Sequence, residues 1–289
     1  MKQLEQLMYD VMMNGTLQSN RTGIDTIGLF GAMLTFDLTE GFPVITTRKA
    51  PWKSAIAEQM GFIRAYTSAD QFRALGCNFW DANANENTDW LSNPNRSGTD
   101  DLGEIYGHQA RHWRSDILAY FYDYDQLHTV LNELGTNPQS RRLLVSHWRP
   151  DRFVRMALPP CHVMYQFQVN VERNELNMLL YMRSNDLFLG APANIVEYAW
   201  LLEMVAAYYG YTAKKLVYTV GDAHIYKNHV EQTIQQINRP PFKSPRLLFD
   251  PAIIDRRVPC SQWLESLEPD MFRLDNYQHH DAISATMAL

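Results

Sequence analysis

Cysteine is scarce in this sequence, which has three cysteines among 289 residues. Cys77, Cys161 and Cys260 are far apart, and an odd number at wide spacing argues against a disulfide framework and against a CxxC metal site. Reduced thiols are typical of a reducing compartment, so we expect a cytoplasmic protein. The histidines also lack ligand spacing, and we predict no bound metal.

Long apolar runs are absent as well. No stretch of about 18 consecutive apolar residues occurs, so no membrane-spanning helix is expected, and the first residues lack the apolar segment of a signal peptide. Positive charge is also in deficit, because the net charge is −6. An acidic surface repels phosphate backbones, which argues against general nucleic-acid binding, although a few converging arginines could still hold a small anionic substrate.

The length of the chain, with 46% hydrophobic and 20% charged residues, suits one α/β domain. Apolar residues at helical spacing predict a first helix that ends at Asn14-Gly15 and further helices at 52–66, 127–134 (closed by Gly135), 195–209 and 224–237. Short or alternating apolar runs predict strands within 26–38, with a break at Gly31, and at 41–47, 142–147, 162–171, 176–182 and 217–220. The polar segment 83–103 is predicted to be a long surface loop.

Cys161 is the first candidate for chemistry. It follows Pro159 and Pro160, which fix the backbone before the thiol, and it precedes His162. A cysteine must become a thiolate to attack, and nearby positive charge favours that form. A lone cysteine is nevertheless a buried structural residue in roughly seven cases in ten, given how cysteines are buried in general.

Other polar groups could bind a nucleotide. Arg183 offers a planar fork for phosphate, and Ser184 adds a hydroxyl. Gly190 and Pro192 predict a turn before Asn194, whose amide carries both a donor and an acceptor and can read the carbonyl and N–H edge of uracil. Each of these groups taken alone is better explained as a solvated surface residue. The same holds for five more residues, which are Arg21, the pair Arg141-Arg142, and the pair His224 and Tyr226 at a predicted helix start.

Together these motifs follow the order and spacing of a known family. The sequence resembles the thymidylate synthase family through Arg21-Thr22-Gly23, Phe42-Pro43-x-x-Thr46-Thr47, Glu58, Trp80-Asp81, Tyr106-Gly107, Ser140-Arg141-Arg142, Cys161-His162, Arg183-Ser184-x-Asp186, Asn194 and His224-x-Tyr226. The resemblance runs from about Met1 to the C-terminus. It implies a single domain with a large mixed β-sheet flanked by helices, a homodimer, an inserted loop around 83–103 and a C-terminal closing tail at 281–289.

The resemblance also implies an activity and a set of roles. Such enzymes convert dUMP to dTMP with 5,10-methylenetetrahydrofolate as the donor of both the one-carbon unit and the hydride, without a metal or a flavin. The implied catalytic residues are Cys161, Glu58, Tyr106, His162, Asp186 and Asn194. The implied dUMP-binding residues are Arg21, Arg183, Ser184, Asn185, Asp186, Asn194, His224 and Tyr226, joined by Arg141 and Arg142 from the partner subunit. The implied folate-binding residues are Trp80, Asp186 and Ala288.

Departures from the family pattern lie mainly on the folate side. Ala193 replaces a usual bulky aromatic residue, Pro51 a frequent histidine, and Asn83 a second tryptophan. They keep open an alternative product, hydroxymethyl-dUMP, which forms in phage relatives when water captures the methylene intermediate. Trp80 and the tail favour methyl formation, and Asn194 favours uracil because the cytosine-specific relatives carry aspartate there. A catalytically idle relative that binds RNA or protein through 83–103 is a further alternative.

Overall fold

The computed structural model describes residues 1–115 and 122–287. Within these residues, no helix is both long enough and apolar enough to cross a membrane. The strands are β1 (Thr16–Gln18), β2 (Thr26–Asp37), β3 (Trp113–Ser115), β4 (Tyr122–Tyr124), β5 (Leu144–Ser146), β6 (His162–Asn170), β7 (Glu175–Asp186), β8 (Thr212–Tyr226), β9 (Arg246–Leu248) and β10 (Arg273–Asp275). The helices are α1 (Lys2–Asn14), α2 (Trp52–Ile63), α3 (Ala69–Ala74), α4 (Asp81–Asn85), α5 (Thr88–Leu91), α6 (Tyr106–Arg111), α7 (Gln126–Thr136), α8 (Gly190–Tyr209), α9 (Val230–Ile237) and α10 (Cys260–Glu265).

A mixed six-stranded sheet organises the molecule, in the order β1-β2-β8-β7-β6-β5. Strands β7 and β8 are parallel, and their crossover connection is α8, whereas the other neighbouring pairs in this sheet are antiparallel. The predicted class, a large mixed sheet flanked by helices, is confirmed. The predicted strands 162–171 and 176–182 are also present, as β6 and β7, and they pair as an antiparallel hairpin whose residues alternate between the two faces of the sheet.

Helix α8 lies in the centre of the core. Sixteen of its residues are buried, so it has no polar face, as expected of a helix that is apolar all round. It packs against α2 on one side and against β7 and β8 on the other. A smaller apolar cluster forms around Phe62, Phe72, Trp80, Trp90 and Tyr106 and joins α2 to the segment that follows it.

The elements differ from the sequence-based expectation in several places. His224 and Tyr226 lie in β8 and not at a helix start, because cross-strand pairing with β2 continues to Tyr226 and the helix begins only at Val230. Gly31 has a positive φ of 83° but does not interrupt β2, which runs from Thr26 to Asp37 as one strand. A glycine tolerates this backbone conformation without strain, so the ladder to β8 continues past it.

Four further differences concern helix boundaries and two segments. Gly190 and Pro192 do not form a turn but lie in the first turn of α8, where proline needs no N–H partner. Gly135 lies inside α7, which continues to Thr136. The segment 83–103 is not wholly irregular, since it contains the end of α4 and all of α5 and buries Trp90. Residues 41–47, predicted as a strand, form no regular secondary structure.

Candidate active site

A cavity of about 810 Å³ lies at the end of the sheet where the parallel strands β7 and β8 finish. Strand β6 runs antiparallel to β7, so the residue before it, Cys161, lies beside the end of β7, and the backbone N–H of Arg183 donates to the Cys161 carbonyl at 3.0 Å. Most of the predicted site residues line this cavity, namely Arg21, Glu58, Trp80, Tyr106, Cys161, His162, Arg183, Ser184, Asn185, Asp186, Asn194, His224 and Tyr226.

Two predicted groups do not line it. Arg141 and Arg142 are exposed and lie just before the edge strand β5, outside the cavity of their own chain. Ala288 lies outside the described residues, although Ala285 and Met287 of the same tail line the cavity. Among the described residues, no group of three or more His, Cys, Asp or Glu side chains is arranged to hold a metal ion.

Cys161 is a partly buried free thiol whose backbone is fixed from two sides. Its N–H donates to the Tyr106 hydroxyl oxygen at 3.0 Å. The Arg183 guanidinium donates from Nε to the Pro160 carbonyl and from Nη2 to the Pro159 carbonyl, both at 2.9 Å. Arg183 therefore places a positive charge near the thiol and also holds the chain that carries it.

Gly221 on β8 makes room for this arrangement. A Cβ at that position would lie 2.9 Å from the Arg183 carbonyl oxygen and 3.1 Å from the Tyr181 hydroxyl. No side chain fits there without a shift of the backbone of β7. His162 adds no charge to the site, because burial lowers its pKa to about 3 and keeps the ring neutral.

Asn194 is held through its side-chain amide on both sides. Its Oδ1 accepts from Asn185 Nδ2 at 2.9 Å, and its own Nδ2 donates to Glu197 Oε1 at 3.2 Å. Asn185 Oδ1 in turn accepts from the Tyr218 hydroxyl at 2.6 Å. The four side chains form one hydrogen-bonded chain beside the cavity, and each of them is almost fully buried.

Two carboxyl groups meet at the inner wall of the cavity. Glu58 Oε1 accepts from Trp80 Nε1 at 2.9 Å, and the Glu58 carboxyl is hydrogen-bonded to that of Glu197. Burial raises the pKa of Glu58 to about 7. Burial, with the nearby Glu58, raises the pKa of Glu197 well above its ordinary value. Because two adjacent carboxyls resist double ionisation, the pair retains a proton near neutrality, with Glu58 close to its titration midpoint.

The opposite wall is polar and less enclosed. The Ser184 hydroxyl donates to Asp222 Oδ2 at 3.4 Å, and His224 Nδ1 lies 3.6 Å from the same oxygen. The neighbouring His224 is the main cause that lowers the pKa of Asp222, which keeps this carboxyl ionised. His224 and Tyr226 are two residues apart on β8, so they share one face of the strand. Their rings meet edge to face with centroids 5.2 Å apart.

Asp186 connects the cavity to the C-terminal tail. Its Oδ1 accepts from the backbone N–H groups of Phe188 and Leu189 near the start of α8, at 2.9 and 3.3 Å. His229 lies next to it, with Nδ1 3.8 Å from Asp186 Oδ2, and its Nε2 contacts the Thr286 carbonyl at 2.8 Å. The tail therefore lies along the mouth of the cavity.

The sequence interpretation missed several of these residues. Glu197 is the most important, and its signal was a glutamate three residues after Asn194 in a helix that is otherwise apolar except for Glu203. Arg48 also lines the cavity, donates to the Phe188 carbonyl and to Gln236, and has its pKa lowered to about 10 by burial. A basic residue after Thr46-Thr47 carried no pattern that distinguished it from a surface arginine.

Comparisons with known proteins agree with the geometry. The family model described as thymidylate synthase matches residues 2–289. Thymidylate synthases of Pseudomonas putida and Bordetella parapertussis are 45% and 43% identical to this chain, with complete coverage of both partners in each case. The bifunctional dihydrofolate reductase-thymidylate synthase of Leishmania major is 36% identical and is matched over 55% of its own length. These relatives favour thymidylate synthase over the hydroxymethylase alternative, as predicted, and the chain belongs to the thymidylate synthase family.

Proposed function

We propose that this chain converts dUMP to dTMP by reductive methylation with 5,10-methylenetetrahydrofolate. The observation that carries the proposal is that three reactive or binding groups line one cavity. They are the thiol of Cys161, the carboxyl of Glu58 with a pKa of about 7, and the side-chain amide of Asn194, which has both a donor and an acceptor. The family match adds the reaction class. The buried thiols of Cys77 and Cys260 fit the reducing cytoplasm that we propose as its location.

In the first step, the Cys161 thiolate adds to C6 of the uracil ring. This addition makes C5 an enolate carbon, and the negative charge develops on O4, where the remaining N–H of Asn194 Nδ2 can stabilise it. The nucleophilic C5 then forms a bond to the methylene carbon of the folate, the bond from that carbon to N10 breaks, and the carbon stays attached to N5 until tetrahydrofolate departs. Arg183 holds the Pro159 and Pro160 carbonyls, so it keeps the segment that carries Cys161 in place for the attack.

In the second stage, the C5 proton leaves to a base. Glu58 suits this role in its ionised form because its pKa lies near neutrality. Tyr106 lines the same cavity, and its hydroxyl accepts from the backbone N–H of Cys161. Departure of tetrahydrofolate leaves an exocyclic methylene, which takes a hydride from the folate to become methyl while dihydrofolate forms. Cys161 is then eliminated from C6. Trp80, Asp186 and the tail through Ala288 would hold the folate and exclude water.

The phosphate and the ribose would bind on the more exposed wall. Arg21, Arg183 and Ser184 can donate to a dianionic phosphate, and His224 and Tyr226 can contact the ribose hydroxyl. We propose that Arg141 and Arg142 complete this site from the partner subunit of a homodimer. Their exposure outside their own cavity supports this, as do the exposed apolar residues Leu17, Phe30 and Met33 of β1 and β2, of which Phe30 is 89% exposed.

Product analysis tests the proposal. The protein would be incubated with dUMP and methylenetetrahydrofolate, followed by mass spectrometry of the nucleotide and absorbance of the folate. We expect a gain of one methylene equivalent in mass, the replacement of hydrogen by methyl, together with one dihydrofolate per product. Hydroxymethyl-dUMP with tetrahydrofolate retained would contradict it, and so would full activity of Cys161→Ala.

A further inference from the structure

An asparagine amide does not by itself select uracil. Uracil presents an N–H at N3 and a carbonyl at O4, whereas cytosine presents an acceptor at N3 and an amino group at N4. An amide can match either pattern, because a 180° rotation about its terminal bond exchanges its donor and its acceptor. Selection of uracil by Asn194 therefore requires that something fixes the orientation of this amide.

The hydrogen-bonded chain around Asn194 fixes which end of its amide donates and which end accepts. Tyr218 donates to Asn185, Asn185 donates to Asn194, and Asn194 donates to Glu197. If the Asn194 amide rotated, its NH₂ would face the NH₂ of Asn185 and its oxygen would face Glu197 Oε1. Both contacts would then be unfavourable, and each buried group would lose its partner. One lone pair of Oδ1 and one N–H of Nδ2 remain available, in the order that uracil requires.

Glu197 is the residue that fixes the orientation of the Asn194 amide in this chain. It is completely buried, and no N–H or other side-chain donor of the described residues reaches its Oε2. The titratable groups around it include Glu58, with which it shares a hydrogen bond, and the neutral His162, whose Nδ1 is 3.8 Å from Oε2 and contacts the Tyr198 hydroxyl. Cys77, Tyr198 and Tyr218 also lie around it, and burial raises the pKa of each and keeps it uncharged. A protonated Oε2 can donate to Glu58, and the carbonyl Oε1 is then left to accept from Asn194.

The far side of Glu58 keeps the arrangement in place. Trp80 Nε1 can only donate, and it donates to Glu58 Oε1. The ionised Glu58 carboxylate can only accept, so the shared proton lies on Glu197 and Oε1 of Glu197 cannot exchange roles with Oε2. We infer that Glu197 is a positioning residue that fixes the Asn194 amide in the orientation that reads uracil, an inference that rests on the proposed function.

Two substitutions at the position separate this role from simple packing. Glu197→Gln keeps an acceptor for Asn194 and a donor for Glu58, whereas Glu197→Met keeps the volume but neither function. Glu203→Met is the matched control, since Glu203 is a largely buried glutamate on the same helix that does not line the cavity. Tyr218→Phe removes only the hydroxyl at the other end of the chain, and it remains informative if Glu197→Met does not fold.

The measured quantity is the ratio of the dissociation constants for dCMP and dUMP, together with the pH dependence of kcat/KM for dUMP. We expect Glu197→Met to lower the ratio about 10- to 100-fold, since one or two buried hydrogen bonds lose their direction, and Tyr218→Phe to lower it about 3- to 10-fold. Glu197→Gln and Glu203→Met should keep it. The acidic limb of the pH profile should move to higher pH in Glu197→Met, which has no donor for Glu58, and stay in place in Glu197→Gln.

The outcomes also separate this inference from the proposed function. An unchanged ratio in both Glu197→Met and Tyr218→Phe would overturn the inference, and so would a loss in Glu197→Gln as large as that in Glu197→Met. The ratio is a binding measurement, so it can be determined whether or not the wild-type chain methylates dUMP. A wild-type chain that prefers dUMP but forms no dTMP would contradict the proposed function and leave this test intact.

Discussion

Replacement of Glu58 by glutamine should make the protein more stable and less active. Burial raises the pKa of Glu58 from an ordinary 4.5 to about 7, so folding favours its protonated form. The stability that this preference contributes is fully present below pH 4.5 and is lost as the pH rises through about 7. A difference of about 2.5 pKa units corresponds to about 3 kcal/mol, which is the upper limit of the gain from Glu58→Gln at alkaline pH.

Urea unfolding at matched protein concentration, at about pH 5 and about pH 8.5, measures this gain. The difference in the free energy of unfolding between the variant and the wild type should be about 2 to 3 kcal/mol larger at the alkaline pH than at the acidic pH. Its kcat/KM for dUMP should fall at least about 100-fold, and the acidic limb that the wild type shows below about pH 7 should disappear. A stability difference that does not change with pH would refute the reasoning.

Glu203→Gln is the matched control for this experiment. Burial also raises the pKa of Glu203 to about 7, but the residue lines a separate cavity of about 310 Å³. We expect a smaller gain in stability with the same dependence on pH, because Glu203 is less completely buried than Glu58, and no loss of activity. A gain confined to one of the two variants would mean that burial alone does not set these pKa values.

Four further outcomes can be checked directly. Cys161→Ala should bind dUMP but lose turnover about 1,000-fold or more, measured by mass spectrometry of the product, and substantial turnover would argue against a covalent step. Asn194→Asp should shift the preference in binding assays from dUMP towards dCMP, because a carboxylate cannot donate to O4. Arg142→Ala mixed with Cys161→Ala should regain up to about a quarter of wild-type activity through hybrid dimers, whereas no recovery would mean that Arg142 acts within its own chain. Arg239 donates to the Asp281 and Thr47 carbonyls, so Arg239→Ala should release the tail and raise KM for the folate more than for dUMP.

The sequence predicts the main elements of the fold where the pattern is long and regular. Helix α1, the β6–β7 hairpin and the buried helix α8 follow directly from apolar spacing. The pattern fails for His224 and Tyr226 because the pairing of β8 with β2 and β7 is a long-range contact that local spacing does not contain. The two side chains still share a face, since residues two apart on a strand point the same way.

The sequence predicts which residues form the candidate site, but not how these residues contact one another. Motif order identifies Cys161, Arg183 and Asn194, and the structure brings all three to one cavity. The sequence does not reveal that Arg183 also holds the proline backbone, because that contact joins residues 23 to 24 positions apart. It also does not reveal that Glu197 contacts Glu58, because the two residues lie on separate helices. Such contacts depend on how the elements pack.

The hydrogen bonds from Arg183 to two proline carbonyls have a consequence for inhibitor design. A guanidinium has five N–H groups, and the two carbonyls occupy one on Nε and one on Nη2, so three remain for an anion. An uncharged nucleoside leaves these three without a partner, whereas a phosphate mimic with two oxygens in one plane can engage them and leave the nucleophile where it is. Lysine cannot divide its donors in this way, so drug resistance through Arg183→Lys would come at the expense of catalysis.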